Sequence, residues 1–78
     1  MEYIFDRITI DDTICNGRPT IRGTRISVQT ILDFLSAGDS SKDILEQYPS
    51  LEPEDIMACM KFAADLMSRN YSIKTVAQ

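Results

Sequence analysis

The segment that most constrains how this chain can fold lies between Pro53 and Asn70. Wound as a helix, its residues Phe62, Leu66, Cys59, Ala63, Ile56, Met67, Met60, Ala64 and Met57 fall side by side. At 3.6 residues per turn they make one apolar arc of roughly 220°. A surface helix needs an apolar stripe only about 100° wide to face a single core. Two explanations compete. Either this helix is central and covered on several sides by its own chain, or part of the arc faces a second polypeptide. The chain has 78 residues, and two short helical patterns and a little β structure are all that remain as cover. The second explanation is therefore the expectation. Met57, Met60, Phe62 and Met67 are the candidate anchors of a dimer or partner interface. Flexible thioethers suit an adaptable contact, though they also fill ordinary cores.

The rest of the chain sorts into short elements. Tyr3-Ile4-Phe5 and Ile8-Thr9-Ile10 have the β-branched and aromatic character of a short strand. Arg18-Pro19-Thr20-Ile21-Arg22, between Gly17 and Gly23, reads as a second extended piece. Proline has no N–H to give a ladder, so such a piece belongs at a sheet edge. Val28, Ile31, Leu32 and Leu35 then recur at helical spacing behind Ser27, a good N-cap, and stop before Gly38. A second helix starts at Asp39-Ser40, with Ser40 and Asp43 approximating a capping box, and Pro49 ends it. Pro53 suits the first position of the third helix, Glu54 and Asp55 suit its positive end, and Asn70 is the expected stop. The fold class expected is mainly α, one tri-helical, helix-turn-helix-like domain over residues 1–78 with a short N-terminal β element.

Charge is unevenly spread. Residues 1–26 carry four acids and four bases, residues 27–60 carry seven acids against Lys42 alone, and the remainder is weakly basic, for a net charge of −4. The densest positive cluster is Arg18, Arg22 and Arg25, in a stretch broken by Gly17, Pro19 and Gly23, residues that shape a loop. An arginine loop of this kind can reach phosphates or a narrow minor groove. It can equally be held to the domain by the chain's own surplus acids, Asp11, Asp12 and Asp33 being near in sequence. Arg25, closest to the first helix, is assigned the structural role, and Arg18 and Arg22 are taken as free. The third helix opens on Glu52, Glu54 and Asp55, which phosphates repel, so it makes a poor major-groove reader.

Other chemistry finds little footing. There is no histidine, which removes the commonest general base and metal ligand. Cys15 and Cys59 have no metal-ligand spacing and read as reduced thiols. Ser27, Ser40 and Ser41 have capping as their simplest role, with no base to activate them. The acid pairs Asp11-Asp12 and Glu54-Asp55 have the oxygens a divalent cation needs, yet such pairs usually cap or face water. No catalytic, metal or cofactor site is expected. MEYIFDRITIDD lacks the basic flank and apolar run of a signal peptide, and no stretch approaches the roughly 18 apolar residues of a membrane span. The expectation is a cytoplasmic protein that does not enter membranes.

The string Gly17-Arg18-Pro19-Thr20-Ile21-Arg22-Gly23-Thr24-Arg25-Ile26-Ser27-Val28 resembles the signature of domain-of-unknown-function family 433. The likeness continues through Ile31-Leu32, Leu35, Gly38, Ile44-Leu45, Tyr48-Pro49, Leu51, Asp55-Ile56 and Ala63, and so covers roughly residues 5–67. That resemblance implies a small prokaryotic antitoxin of the VapB-like kind with a helix-turn-helix-like fold. It would be homodimeric, would block a PIN-like nuclease toxin and would repress their shared operon; Arg18, Arg22 and Arg25, from the charge pattern above, are the candidates for a weak operator contact. Glu52-Pro53 departs from the family's pattern, where a threonine and an apolar residue are common. Residues 70–78, where a toxin-binding extension would be sought, lie outside the signature. Two alternatives remain open beside this one: a stand-alone DNA-binding regulator, and a dimeric structural module with no nucleic-acid role.

Overall fold

The computed structural model describes the backbone of residues 2–76 and the side chains of residues 2–69. The N-terminal apolar run is not one strand but a hairpin. Strand β1 (Glu2–Phe5) turns through Asp6 and Arg7 into β2 (Ile8–Ile10), and β3 (Thr20–Ile21) pairs on the far side of β2. The sheet is antiparallel throughout, in the order β1-β2-β3, with Ile8 opposite Ile21 and Thr9 opposite Thr20. Pro19 immediately precedes β3, which is an edge strand as its missing N–H requires.

Three helices follow: α1 (Val28–Ser36), α2 (Ser41–Gln47) and α3 (Pro53–Val76). The capping chemistry is that read from the sequence. The Ser27 hydroxyl accepts from the Thr30 N–H at 3.1 Å. Ser40 and Asp43 close a reciprocal box, the Asp43 N–H donating to Ser40 Oγ and the Ser40 N–H to Asp43 Oδ2. Gly38 takes φ +102 just beyond α1, as a left-handed stop does. One boundary differs. α3 does not stop at Asn70 but runs to Val76, because asparagine is a weak breaker and no glycine or proline follows it.

The expected tri-helical domain with a minor β element is therefore corrected to an α+β fold, in which a three-stranded sheet and three helices share one core. Ile8 and Ile21 from the sheet meet Val28 and Ile31 of α1, Ile44 of α2, and Ile56, Cys59 and Phe62 of α3, all buried. On the sheet face opposite Ile8 and Ile21, the buried Thr9 and Thr20 hydroxyls lie 3.4 Å apart across β2 and β3 and satisfy each other. Phe5 tilts against Phe62 at 5.5 Å, and Phe34 meets Tyr48 edge-on at 6.0 Å, closing the two ends of the core.

Candidate functional site

The sheet and α3 are joined by a cluster of four charged side chains. Arg7 occupies the β1–β2 turn at φ +64, a left-handed conformation that is strained for a non-glycine residue. From there its Nη1 donates to Glu52 Oε1 at 2.7 Å and to Asp55 Oδ1 at 3.0 Å. Arg22, in the turn after β3, donates from Nη2 to the same Glu52 oxygen at 3.1 Å and lies 3.8 Å from Asp55 Oδ1. Asp55 is 1% exposed. Its second oxygen accepts the Glu52 N–H at 2.8 Å, so it caps the first turn of α3 while neutralising two arginines. Hydrogen bonds from its guanidinium, to Glu52 first and Asp55 second, hold Arg7 even further above the range in which arginine loses its proton. The Arg7 guanidinium therefore stays charged, and its bonds fasten the hairpin turn to the start of α3.

This arrangement redistributes the roles expected of the arginine loop. Arg22 is engaged with Glu52, just before α3, and Asp55 in its first turn, not with Asp11, Asp12 or Asp33. Arg25, assigned the structural role, is instead exposed, and its carbonyl accepts from the Cys15 thiol at 3.2 Å. Arg18 is exposed at the rim of a groove of about 330 Å³ between α1 and α3, walled by Val28, Leu32, Phe62 and Leu66. Among the described residues, neither Arg18 nor Arg25 has an ion-pair partner. The loop-shaping residues are where the sequence put them. Gly17 takes φ +76. Gly23 takes φ +69 at the third position of an Ile21–Thr24 turn closed by the Thr24 N–H to Ile21 carbonyl bond. The Pro19 carbonyl accepts the Val28 N–H at 3.0 Å, tying the loop to the start of α1.

The apolar arc of α3 divides in two. Ile56, Cys59 and Phe62 are in the core, so Phe62, at 6% exposure, is removed from the candidate interface. Met57, Met60 and Met67 remain on the opposite side, 51%, 39% and 61% exposed, with Ala64 exposed between them. Beside Met57 opens a hollow of about 490 Å³, walled by Phe5, Asp6, Pro53, Glu54, Ala58 and Lys61. Among the described residues no three acids or cysteines gather as metal ligands would. Among the described residues no helix is long and apolar enough to cross a membrane.

Sequence reasoning missed Arg7 and the joint role of Glu52 and Asp55. A signal was present. Glu52 and Asp55 are three apart across the start of a helix, the spacing of a capping pair. Nothing local announces Arg7, whose partners lie 45 and 48 residues away.

Comparison with known proteins gives the relationship of the chain. Residues 8–63 match the family model described as protein of unknown function (DUF433). A crystal structure of a DUF433 member from Anabaena variabilis superposes with a TM-score of 0.71 at 31% identity, covering 92% of this chain and 69% of that one. The uncharacterized protein y4eO of Sinorhizobium fredii is 36% identical over 56 residues, which is 72% of this chain but 25% of that protein. The chain thus spans a quarter of the length of that curated relative. The shared segment runs from β2 through the glycine–arginine loop to the middle of α3, and on that match this chain belongs to the DUF433 family.

Proposed function

We propose that this chain is a non-catalytic interaction module of the antitoxin type, which works by holding another polypeptide against α3. The observation that carries this reading is the methionine face. Met57, Met60 and Met67 stay exposed on a domain whose core is already closed by the opposite side of the same helix. Apolar surface left in line on a small domain marks a contact with another chain. The partner class follows from the family resemblance: a small PIN-like nuclease toxin, bound by a dimer of this chain. Charge supports that choice. With Glu52 and Asp55 neutralised by Arg7 and Arg22, the acids Asp33, Asp39, Asp43, Glu46 and Glu54 are left on the surface. Such a surface complements a basic nuclease and speeds encounter more than it deepens affinity.

Operator contact is a subsidiary part of the proposal. It rests on Arg18 and Arg25, the arginines of the loop that keep their guanidinium groups unpaired among the described residues. The first turn of α3 is not a groove reader in this proposal: Asp55 is turned to Arg7, and Glu54 stays exposed where phosphates repel it.

The test is co-purification of the tagged full chain from its native host, followed by mass spectrometry. The paired substitution Met57→Glu with Met67→Glu is the control. The wild type is expected to bring down a small nuclease and the double variant to lose it. Recovery of no nuclease, or equal recovery by the variant, refutes the reading.

A further inference from the structure

We propose that the groove between α1 and α3 binds a small apolar carboxylic acid, with its carboxylate on Arg18 and its hydrocarbon body between Leu32 and Leu66. This goes beyond the interaction-module reading and uses a different part of α3. Around the helix, the groove residues Phe62, Ala63 and Leu66 centre roughly 120° from Met57, Met60 and Met67. The groove holds about 330 Å³, near the lower end of the range for ligand clefts. Val28 and Phe62, both buried, form its floor. Leu32, half-buried, and Leu66, 41% exposed, stand as its two sides.

The head group of the ligand follows from the charge of the groove. Among the described residues that line it, Arg18 alone is charged. Its guanidinium is exposed and has no ion-pair partner among the described residues. The acids beside the two walls are engaged along their own helices. Asp33 accepts from Gln29 Nε2 at 2.9 Å, and Asp65 pairs with Arg69 at 3.2 Å. The backbone around Arg18 is held on both sides: its N–H donates to the Cys15 carbonyl at 3.1 Å, and the Pro19 carbonyl accepts the Val28 N–H at 3.0 Å. One planar guanidinium fixed at the mouth of an apolar groove matches a carboxylate, which it can grip through two parallel hydrogen bonds. A phosphate dianion would bring a second charge beside apolar walls with nothing there to neutralise it.

The size of the ligand follows from the shape. The walls run from Val28 to Leu32 and from Phe62 to Leu66, about 6 Å of each helix. A docked helix needs about 10 Å to seat anchors two turns apart. An extended peptide draws on free main-chain groups of its receptor. Here the Arg18 N–H and the Pro19 carbonyl are already bonded within the fold, and proline has no N–H to offer. A short hydrocarbon with one anionic end needs neither length nor main-chain partners. Arg18 is shared with the operator contact proposed above, so such an acid and a DNA phosphate compete for it.

Isothermal titration calorimetry of the purified full chain with sodium octanoate, with no DNA or nuclease present, tests this, and methyl NMR resonances record where the acid sits. Saturable binding is expected, with shifts at the Val28, Leu32 and Leu66 methyls. Octylammonium, the same chain behind a cation, should bind about tenfold more weakly, and acetate, the head without the chain, should not bind measurably. Arg18→Gln should weaken octanoate by about tenfold through loss of a charge-assisted bond. Leu66→Glu, at an exposed position on the rim, should abolish binding with unchanged far-UV circular dichroism. The paired Met57→Glu and Met67→Glu variant should bind octanoate as the wild type does, so failure of nuclease capture and failure of the groove are told apart. The absence of saturable binding overturns the proposal. So does equal binding of octylammonium, an Arg18→Gln variant of unchanged affinity, or shifts confined to the Met57, Met60 and Met67 methyls.

Discussion

Replacing Asp55 with alanine should cost this domain a large part of its stability. The carboxylate is 1% exposed and holds three groups at once: Arg7 at 3.0 Å, the Glu52 N–H at 2.8 Å, and Arg22 at 3.8 Å. Loss of the cap on α3 costs about 1 kcal/mol. Loss of a charge-assisted hydrogen bond to a buried carboxylate costs about 1.5–3 kcal/mol more. The arginines are not stranded, since both still reach Glu52 and solvent, so the higher cost of an orphaned buried charge is not added. The sum is about 2.5–4 kcal/mol, against a total of about 4–12 kcal/mol for a domain of this size. That should lower Tm by roughly 10–30 °C. Urea melts followed by circular dichroism give the number directly. Asp55→Asn, which keeps an acceptor for the cap but loses the charge, should fall between wild type and Asp55→Ala. The two partners must also be coupled, so Arg7→Met should cost far less on the Asp55→Ala background than alone. A loss below about 1 kcal/mol for Asp55→Ala, or full additivity with Arg7→Met, would show that the cluster decorates the junction and does not hold it.

The remaining expectations concern single groups. Burial, and secondarily the nearby Asp55 carboxylate, pushes the Cys59 thiol up to about 11. An aromatic disulfide reagent at pH 8 should therefore titrate the half-buried Cys15 in the native protein and reach Cys59 only in denaturant; two fast thiols would contradict the buried placement. Gly23 sits at φ +69 with open space around an added Cβ, so Gly23→Ala should cost the backbone term alone, about 1–2 kcal/mol in a urea melt. The Thr13 hydroxyl and then the Thr13 N–H hold the Asp11 carboxyl below its ordinary value. Since its folded pKa is the lower one, the stability it contributes is full above the unfolded carboxylate pKa and is lost as pH falls through the folded value. Thr13→Val should raise the Asp11 midpoint in an NMR titration and flatten the acid limb of the stability profile; an unchanged midpoint would remove the hydroxyl as the cause.

Local chemistry was readable from the sequence where the partners are local. Ser27 with Thr30, Ser40 with Asp43, and the left-handed glycines at 17, 23 and 38 are each fixed within a few residues. What failed was pairing at a distance. Tyr3 to Ile10 was read as one strand because β-branched and aromatic character says nothing of a turn. Asp6-Arg7 lacks the glycine or asparagine that usually marks one, and Arg7 takes the left-handed position at φ +64. The apolar arc of α3 was real, but its width alone did not say which part was core. Phe62 was assigned to the interface because aromatic size suits an anchor, whereas Phe5 from the hairpin lies 5.5 Å away and seals it inside.

The uneven charge of the chain has its explanation in this geometry. A neutral first third and an acidic middle look, in sequence, like a basic loop kept for phosphates beside a helix that repels them. In the fold, Arg7 and Arg22 cross from the first block to the second and discharge the start of α3. Two of the three carboxylates that disqualify α3 as a groove reader, Glu52 and Asp55, are thus the means by which it is fixed to the sheet. Fixing that end leaves the rest of the helix, with its methionine face, as a rigid strip set at a defined angle to the loop bearing Arg18 and Arg25. A partner on the strip and a phosphate at the loop would then be held in one frame. Loosening the Asp55 cluster should weaken both kinds of contact together, although neither ligand touches Asp55.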